Sequence, residues 1–179
     1  DSLGSYHLRG RPRKKFQDIG VKIYPIMPIR IKNLLFSLNF RNHRKIVIID
    51  NKVAFTGGVN VSDKYIKGQN DLGKWKDTHL KLEGPIVNDL HLEFLKDYYF
   101  ASKKEDFHIS DYLVEQESAG NMDAQVVAGG PDSKHPTIMQ QYIGMMNQAQ
   151  RCIRIANPYF VPGEAFMQSL KIVALEGVE

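Results

Sequence analysis

The stretch His43 to Asn60, HRKIVIIDNKVAFTGGVN, limits the architecture of this chain more than any other. Ile46 to Ile49 is an unbroken apolar run, and Val53 to Thr56 follows it closely. Two short β-branched runs at that spacing read as strands of a hairpin, with the turn at Asn51-Lys52. Side chains alternate between the two faces of a strand, and residues two apart lie about 6.6 Å from each other along it. His43 and Lys45 therefore point the same way, and Asp50 has the opposite parity.

An imidazole beside a fixed ammonium suits an anionic phosphorus centre. The neutral ring nitrogen can attack phosphorus, and the ammonium stabilises charge on the non-bridging oxygens. Neither step requires a metal, and no cofactor is expected. Gly57 and Gly58 permit close backbone approach or positive φ, which lets Asn60 turn its amide back towards the same phosphate. Asp50 is expected to support the strand end through the turn. Taken separately, His-x-Lys is an ordinary polar strand start and Ile46 to Ile49 an ordinary buried strand. The complete string is what carries the chemistry.

That string is His-x-Lys, four residues, Asp, six residues, Gly-Gly, one residue, Asn. It resembles the signature of the phospholipase D superfamily, with every position filled. Trp75-Lys76-Asp77-Thr78-His79, Gly130-Pro131-Asp132 and Asn157-Pro158-Tyr159-Phe160-Val161-Pro162 look like the bacterial cardiolipin synthases, and the likeness runs from about Val21 onward. The resemblance implies phosphatidyl transfer between two phosphatidylglycerol molecules, giving cardiolipin and glycerol through a phosphohistidine at His43. It implies that Lys45 and Asn60, with Gly57 and Gly58, hold the phosphate oxygens and that Asp50 supports the motif. In such relatives an acidic residue on the strand after the motif orients the histidine, and Asp77 is the matching position. An aspartate there can accept the second ring N–H and fix the tautomer. His79, on the same face as Asp77, reads as an ordinary strand residue.

The partners implied are phosphatidylglycerol, an anionic membrane surface, and either a second lobe of the same chain or a homodimer partner. In this superfamily the centre lies between two lobes, each with one motif, and one histidine attacks while the other protonates the leaving group. No second His-x-Lys with an Asp five positions beyond the Lys occurs in the 179 residues, so they are expected to have little turnover by themselves. Two alternatives stay open. One is a different phosphodiesterase of the superfamily, a phospholipid hydrolase or a nuclease, although nucleic acid is not the expected partner. The other is a non-catalytic module that binds anionic lipid.

Charge is unevenly spread. Residues 1–52 carry 12 Lys and Arg against 3 Asp and Glu, whereas the remainder carries 12 against 17. The positive part holds His43, and a local positive field concentrates anionic substrates. The cluster Arg9, Arg11, Arg13, Lys14 and Lys15 either contributes to that field or forms a solvated basic edge. No apolar run approaches the roughly 20 residues that cross a bilayer. The resemblance implies a membrane anchor outside this stretch and a place at the bacterial cytoplasmic membrane. Cys152 is the only cysteine, which rules out an intrachain disulfide; it is expected to be a buried structural thiol.

The expected fold class is α/β: a phospholipase D-like lobe with a mixed β-sheet flanked by helices over 1–110, an interlobe linker over 111–123, and the beginning of a second similar lobe over 124–179. In the first lobe the pattern predicts a strand around Val21 to Ile26, a loop from Ile29 to Asn42, a short helix after Val61 and an alternating strand from Trp75 to Glu83. Gly84-Pro85 then starts a helix reaching about Phe100, with Ile86, Leu90, Phe94 and Tyr98 inward and His91 on the surface. The aromatic run Tyr98-Tyr99-Phe100 is expected in the core. In the second lobe, strands Ala124 to Ala128 and Cys152 to Ala156 alternate with helices at Pro136 to Gln150 and Gly163 to Leu175. The inner face of the first of these helices is expected to be Ile138, Tyr142, Met145, Met146 and Ala149.

Overall fold

The computed structural model describes residues 5, 8–26, 42–68, 73–103, 107–130, 133–157 and 159–179. It divides into two compact units, Asp1–Val126 and Val127–Glu179. The chain is mixed α and β, with a three-stranded sheet in the order β1-β2-β3. In the first unit β1 is Ile46–Ile49, β2 is Val53–Gly57 and β3 is His79–Glu83. Among the described residues its α-helices are α1, Arg11–Asp18, α2, Lys64–Lys67, and α3, Ile86–Ser102.

The hairpin forms where the apolar runs place it, but the turn is centred one residue earlier than expected. The N–H of Lys52 donates to the carbonyl of Ile49 at 3.0 Å. Asp50 and Asn51 are the central residues, with φ of 50° and 54°. A tight β-hairpin favours positive φ at both centres because that twist matches its strands, and Asp and Asn tolerate it best.

Ile48 pairs with Ala54 and Ala54 with Leu82, which puts the three in one row across the sheet. That row and Ile46 pack with Val87 and Leu90 of α3, and Val126 joins them. The small Ala54 side chain lets the helix approach closely. Burying a Val or Leu fully contributes about 1.5–3 kcal/mol, so this cluster holds the helix to one face of the sheet. On the opposite face Val47 and Ile49 remain about half exposed.

Both strand pairings are antiparallel. The mixed sheet is therefore not what the described residues form. Parallel neighbours need a crossover of a dozen or more residues, whereas β1 and β2 are joined by a tight turn. The strand from Trp75 is also shorter than expected, because pairing begins only at His79 opposite Gly57.

Three further expectations in this unit are corrected. Residues 21–26 are not a strand; Arg13 instead donates to the carbonyl of Ile23 at 3.0 Å and Tyr24 packs edge-on against Tyr98. His91 is buried rather than on the surface, and the inward stripe of α3 is Val87, Leu90, His91 and Leu95. Phe94, Tyr99 and Phe100 are exposed rather than core. The loop expected from Ile29 to Asn42 lies outside the described residues except at Asn42.

His91 is covered by a segment that follows α3. Phe107 stacks on Tyr112, with ring centroids 4.9 Å apart, and Tyr112 meets the His91 ring edge-on. Asn88 donates to the carbonyl of Val114, Asn51 donates to that of Tyr112, and Gln116 donates to that of Asn51. The stretch read as a linker, 111–123, thus begins in contact with the hairpin turn. Burial holds the His91 imidazole below its usual pKa, and a hydrogen bond to the Tyr112 backbone opposes the effect.

In the second unit, α4 is Thr137–Met146 and α5 is Glu164–Leu175. Among its described residues Met146, Ser169 and Val173 are buried, and the Ser169 hydroxyl donates to the Asn147 carboxamide oxygen at 2.9 Å. Ile138, Tyr142 and Met145 are exposed, so the inner face of α4 is narrower than its apolar pattern suggested. Neither expected strand is formed. Residues 151–153 make only a single parallel-type pair of bonds, Glu179 N–H to Arg151 and Ile153 N–H to Glu179. One such pair is not a ladder, and Cys152 beside it is exposed rather than buried.

Candidate active site

Beyond the row Ile46, Thr56 and Leu80 only Gly57 and His79 still pair, and the polar residues singled out above, Asp50 excepted, gather at this end. His43 and Lys45 lie just ahead of β1. The alternation of β1 continues through them: Asn42 and Arg44 both bond to Asp97 on α3, on the side where Ile46 and Ile48 pack. His43 and Lys45 fall on the other side. His43 is exposed and Lys45 half-buried. The Lys45 ammonium donates to the carbonyl of His43 at 2.9 Å, which keeps its charge beside the residue that carries the imidazole.

The glycine pair is required by what leans on it. A side chain at Gly57, where φ is 149°, would lie 2.5 Å from the Thr78 carbonyl oxygen and 2.7 Å from Nδ1 of His79. A side chain at Gly58 would lie 2.0 Å from a carboxylate oxygen of Asp77. Gly58 N–H donates to Thr78, and Thr78 N–H donates to the Asp77 carboxylate at 2.7 Å. The bare backbone of β2 thus brings Asp77 and His79 to the sheet end that carries His43 and Lys45. No hydrogen bond joins Asp77 to His43 among the described residues.

Asn60 is exposed and donates to the Tyr65 hydroxyl at 2.9 Å. That ring packs edge-on against Trp75 at 5.2 Å. Asn60 is thereby tied to α2 by a single neutral hydrogen bond. Asp50 is elsewhere, in the turn at the far end of the hairpin. Seven residues of extended chain at about 3.3 Å each separate it from His43, on the order of 20 Å. It sits in the turn, well away from His43.

Sequence reasoning missed two supports. Arg44 reaches Asp97 at 2.9 Å and Glu93 at 3.6 Å, and Tyr65 holds Asn60. The signal for the first was present: Glu93 and Asp97 are four apart, so they share one face of α3. The second had none beyond a tyrosine near the motif. Among the described residues no group of three or more His, Cys, Asp and Glu could hold a metal ion. Nor is any helix among them long and apolar enough to cross a membrane.

Comparison with known proteins adds to this geometry. The chain is 41% identical over its full length to a cardiolipin synthase of Geobacillus sp. (strain WCH70). It is 40% identical over its full length to cardiolipin synthase 2 of Bacillus anthracis and 42% identical to a probable cardiolipin synthase of Bacillus subtilis (strain 168). It spans only about a third of these relatives, 35–36% of their length. No family model matches the chain, and no solved structure matches it.

Proposed function

We propose, for a chain related along its whole length to bacterial cardiolipin synthases, that the intact protein is a phosphatidyltransferase of the phospholipase D superfamily that makes cardiolipin from two molecules of phosphatidylglycerol. A His43 ring nitrogen attacks the phosphorus of the first molecule. A P–N bond forms, the P–O bond to glycerol breaks, and the leaving oxygen takes a proton from a general acid. A hydroxyl of the second phosphatidylglycerol then attacks phosphorus, loses its proton to the base left by that acid, and displaces the imidazole. His43 is restored and cardiolipin leaves.

Lys45 and the Asn60 amide stabilise the charge that builds on the non-bridging oxygens in both steps. Asn60 needs only to exchange its bond to Tyr65 for one to phosphate. Asp77 accepts the second ring N–H of His43 and keeps the attacking nitrogen unprotonated. The general acid belongs to a second His-x-Lys motif, and without it the 179 residues turn over little. The reaction runs at an anionic lipid surface, where the substrate is.

The observation that carries this reading is the convergence of His43, Lys45, Asn60 and Asp77 at one end of the sheet, in a chain so similar to cardiolipin synthases. His43→Ala in the full-length protein is expected to lower cardiolipin formation by about 10³-fold or more and to abolish covalent labelling of the protein by phosphatidylglycerol carrying ³²P. The fold should hold, because the His43 side chain is exposed. Undiminished transfer, or label retained on the His43→Ala protein, would exclude the histidine as nucleophile.

A further inference from the structure

We infer that Arg44 is a positioning residue for this site: its guanidinium, pinned to α3, sets the direction in which His43 and Lys45 leave the backbone. The inference rests on the reading of His43 as nucleophile. It concerns a residue whose own side chain points away from the phosphate.

His43 has an exposed side chain, so the backbone beneath it sets where its ring starts from, while the proposed bond to Asp77 acts on the ring itself. That backbone is tied on both flanks. On one flank Asn42 donates to the Asp97 carboxylate at 2.7 Å and accepts the backbone N–H of Arg44 at 2.8 Å. On the other, Arg44 donates to the second oxygen of the same carboxylate at 2.9 Å and lies 3.6 Å from Glu93. Asp97 therefore bridges the residues before and after His43. Glu93 is fixed in turn, for its side chain is only 12% exposed and it also receives Lys96 at 2.6 Å.

The chemistry of the side chain suits this work. A guanidinium is a planar fork that can reach two carboxylates at once, which an ammonium on a flexible stem does less well. Glu93 and Asp97 lie one turn apart on α3, and α3 packs on the same sheet through Val87 and Leu90. The clamp thus refers the approach to β1 to the rigid core. The alternative is a partly exposed ion pair with no effect on the reaction, since such pairs contribute little to stability. The two differ in what they do to turnover, because a misplacement of 1 Å at a reacting atom can cost about 10²-fold.

The test uses the full-length protein with mixed micelles of phosphatidylglycerol and detergent. Arg44→Ala is expected to lower kcat by about 10- to 100-fold, with KM for phosphatidylglycerol within about twofold and a nearly unchanged thermal midpoint. Arg44→Lys should recover part of the loss. Asp97→Ala should resemble Arg44→Ala, with the double variant little worse than either, as expected for one shared contact.

A readout independent of turnover is the NMR signal of an isotopically labelled His43 ring. In Arg44→Ala it should shift and broaden while that of His79 stays in place. Unchanged kcat together with an unmoved His43 signal would overturn the inference. So would a rise in KM at constant kcat, which would make Arg44 a lipid contact, or a loss of activity matched by unfolding in both Arg44 variants. A fully active His43→Ala would instead defeat the functional reading, and the ring signal would still report whether Arg44 orients the residue.

Discussion

The two ends of the sheet are built on opposite plans. At the turn end the polar groups are tied into neighbouring backbone: Asn51 donates to Tyr112, Gln116 to Asn51 and Asn88 to Val114, over a buried His91. At the other end His43, Asn60 and Asp77 are exposed, and their bonds are few and local. Buried polar groups without partners are costly, and these bonds meet most of that demand at the covered end, although Oδ1 of Asn88 and Nδ1 of His91 have no hydrogen-bond partner among the described residues. The open end keeps donors that water satisfies and that an anion could take over. The difference teaches that the sheet has a closed end and an open end, and that the chemistry proposed above falls at the open one, beside the clamp of Arg44 on α3.

Substitutions at each end can break or sharpen that contrast. Gly58→Ala should have the largest effect after His43→Ala. Its new methyl would occupy the place of the Asp77 carboxylate, which is a short side chain able to swing aside. Transfer by the full-length protein should fall by about 100-fold with little loss of stability in urea unfolding. Unchanged turnover would mean that the position of Asp77 is irrelevant to the reaction.

At the opposite end the balance should reverse. Asn51→Ala loses the bond to Tyr112 and places alanine at a φ of 54°. A loss of about 1–2 kcal/mol in stability is expected, with kcat unchanged. A fall in kcat at full folding would show that the two ends are not separate.

The smallest effect is the pH dependence contributed by His91. Burial depresses its pKa from the ordinary 6.5, so below that pH the unfolded chain binds the proton more readily than the folded one. Stability therefore declines as pH falls through about 6.5, and this part of the decline should vanish in His91→Leu. An identical pH profile in the two proteins would count against a depressed His91.

The sequence carried the hairpin because β-branched runs around Asp50-Asn51-Lys52 leave few alternatives. It carried α3 because Gly84-Pro85 opens an apolar helical pattern. It also read His43 and Lys45 onto one face from a period of two, and the bonds of Asn42 and Arg44 to Asp97 follow the same alternation ahead of β1. The rotation of α3 was not legible in the same way. Judged by residue type, Phe94 should be buried and His91 exposed; the segment carrying Phe107 and Tyr112 reverses this by folding over the imidazole. A second sheet region was expected from the apolar runs at 124–128 and 152–156, but a strand requires a paired neighbour, and these residues have almost none.

For the candidate site, spacing along the chain by itself singled out the groups that the proposed chemistry would draw on, because the side-chain types and the period of two are local properties. Only the tertiary structure decided what holds them. The partners of Arg44 come from Glu93 and Asp97, distant in sequence, and Asp77 reaches Gly58 through strand pairing. Contacts between separated segments depend on how a helix and a sheet settle together, and no local pattern of residues records that.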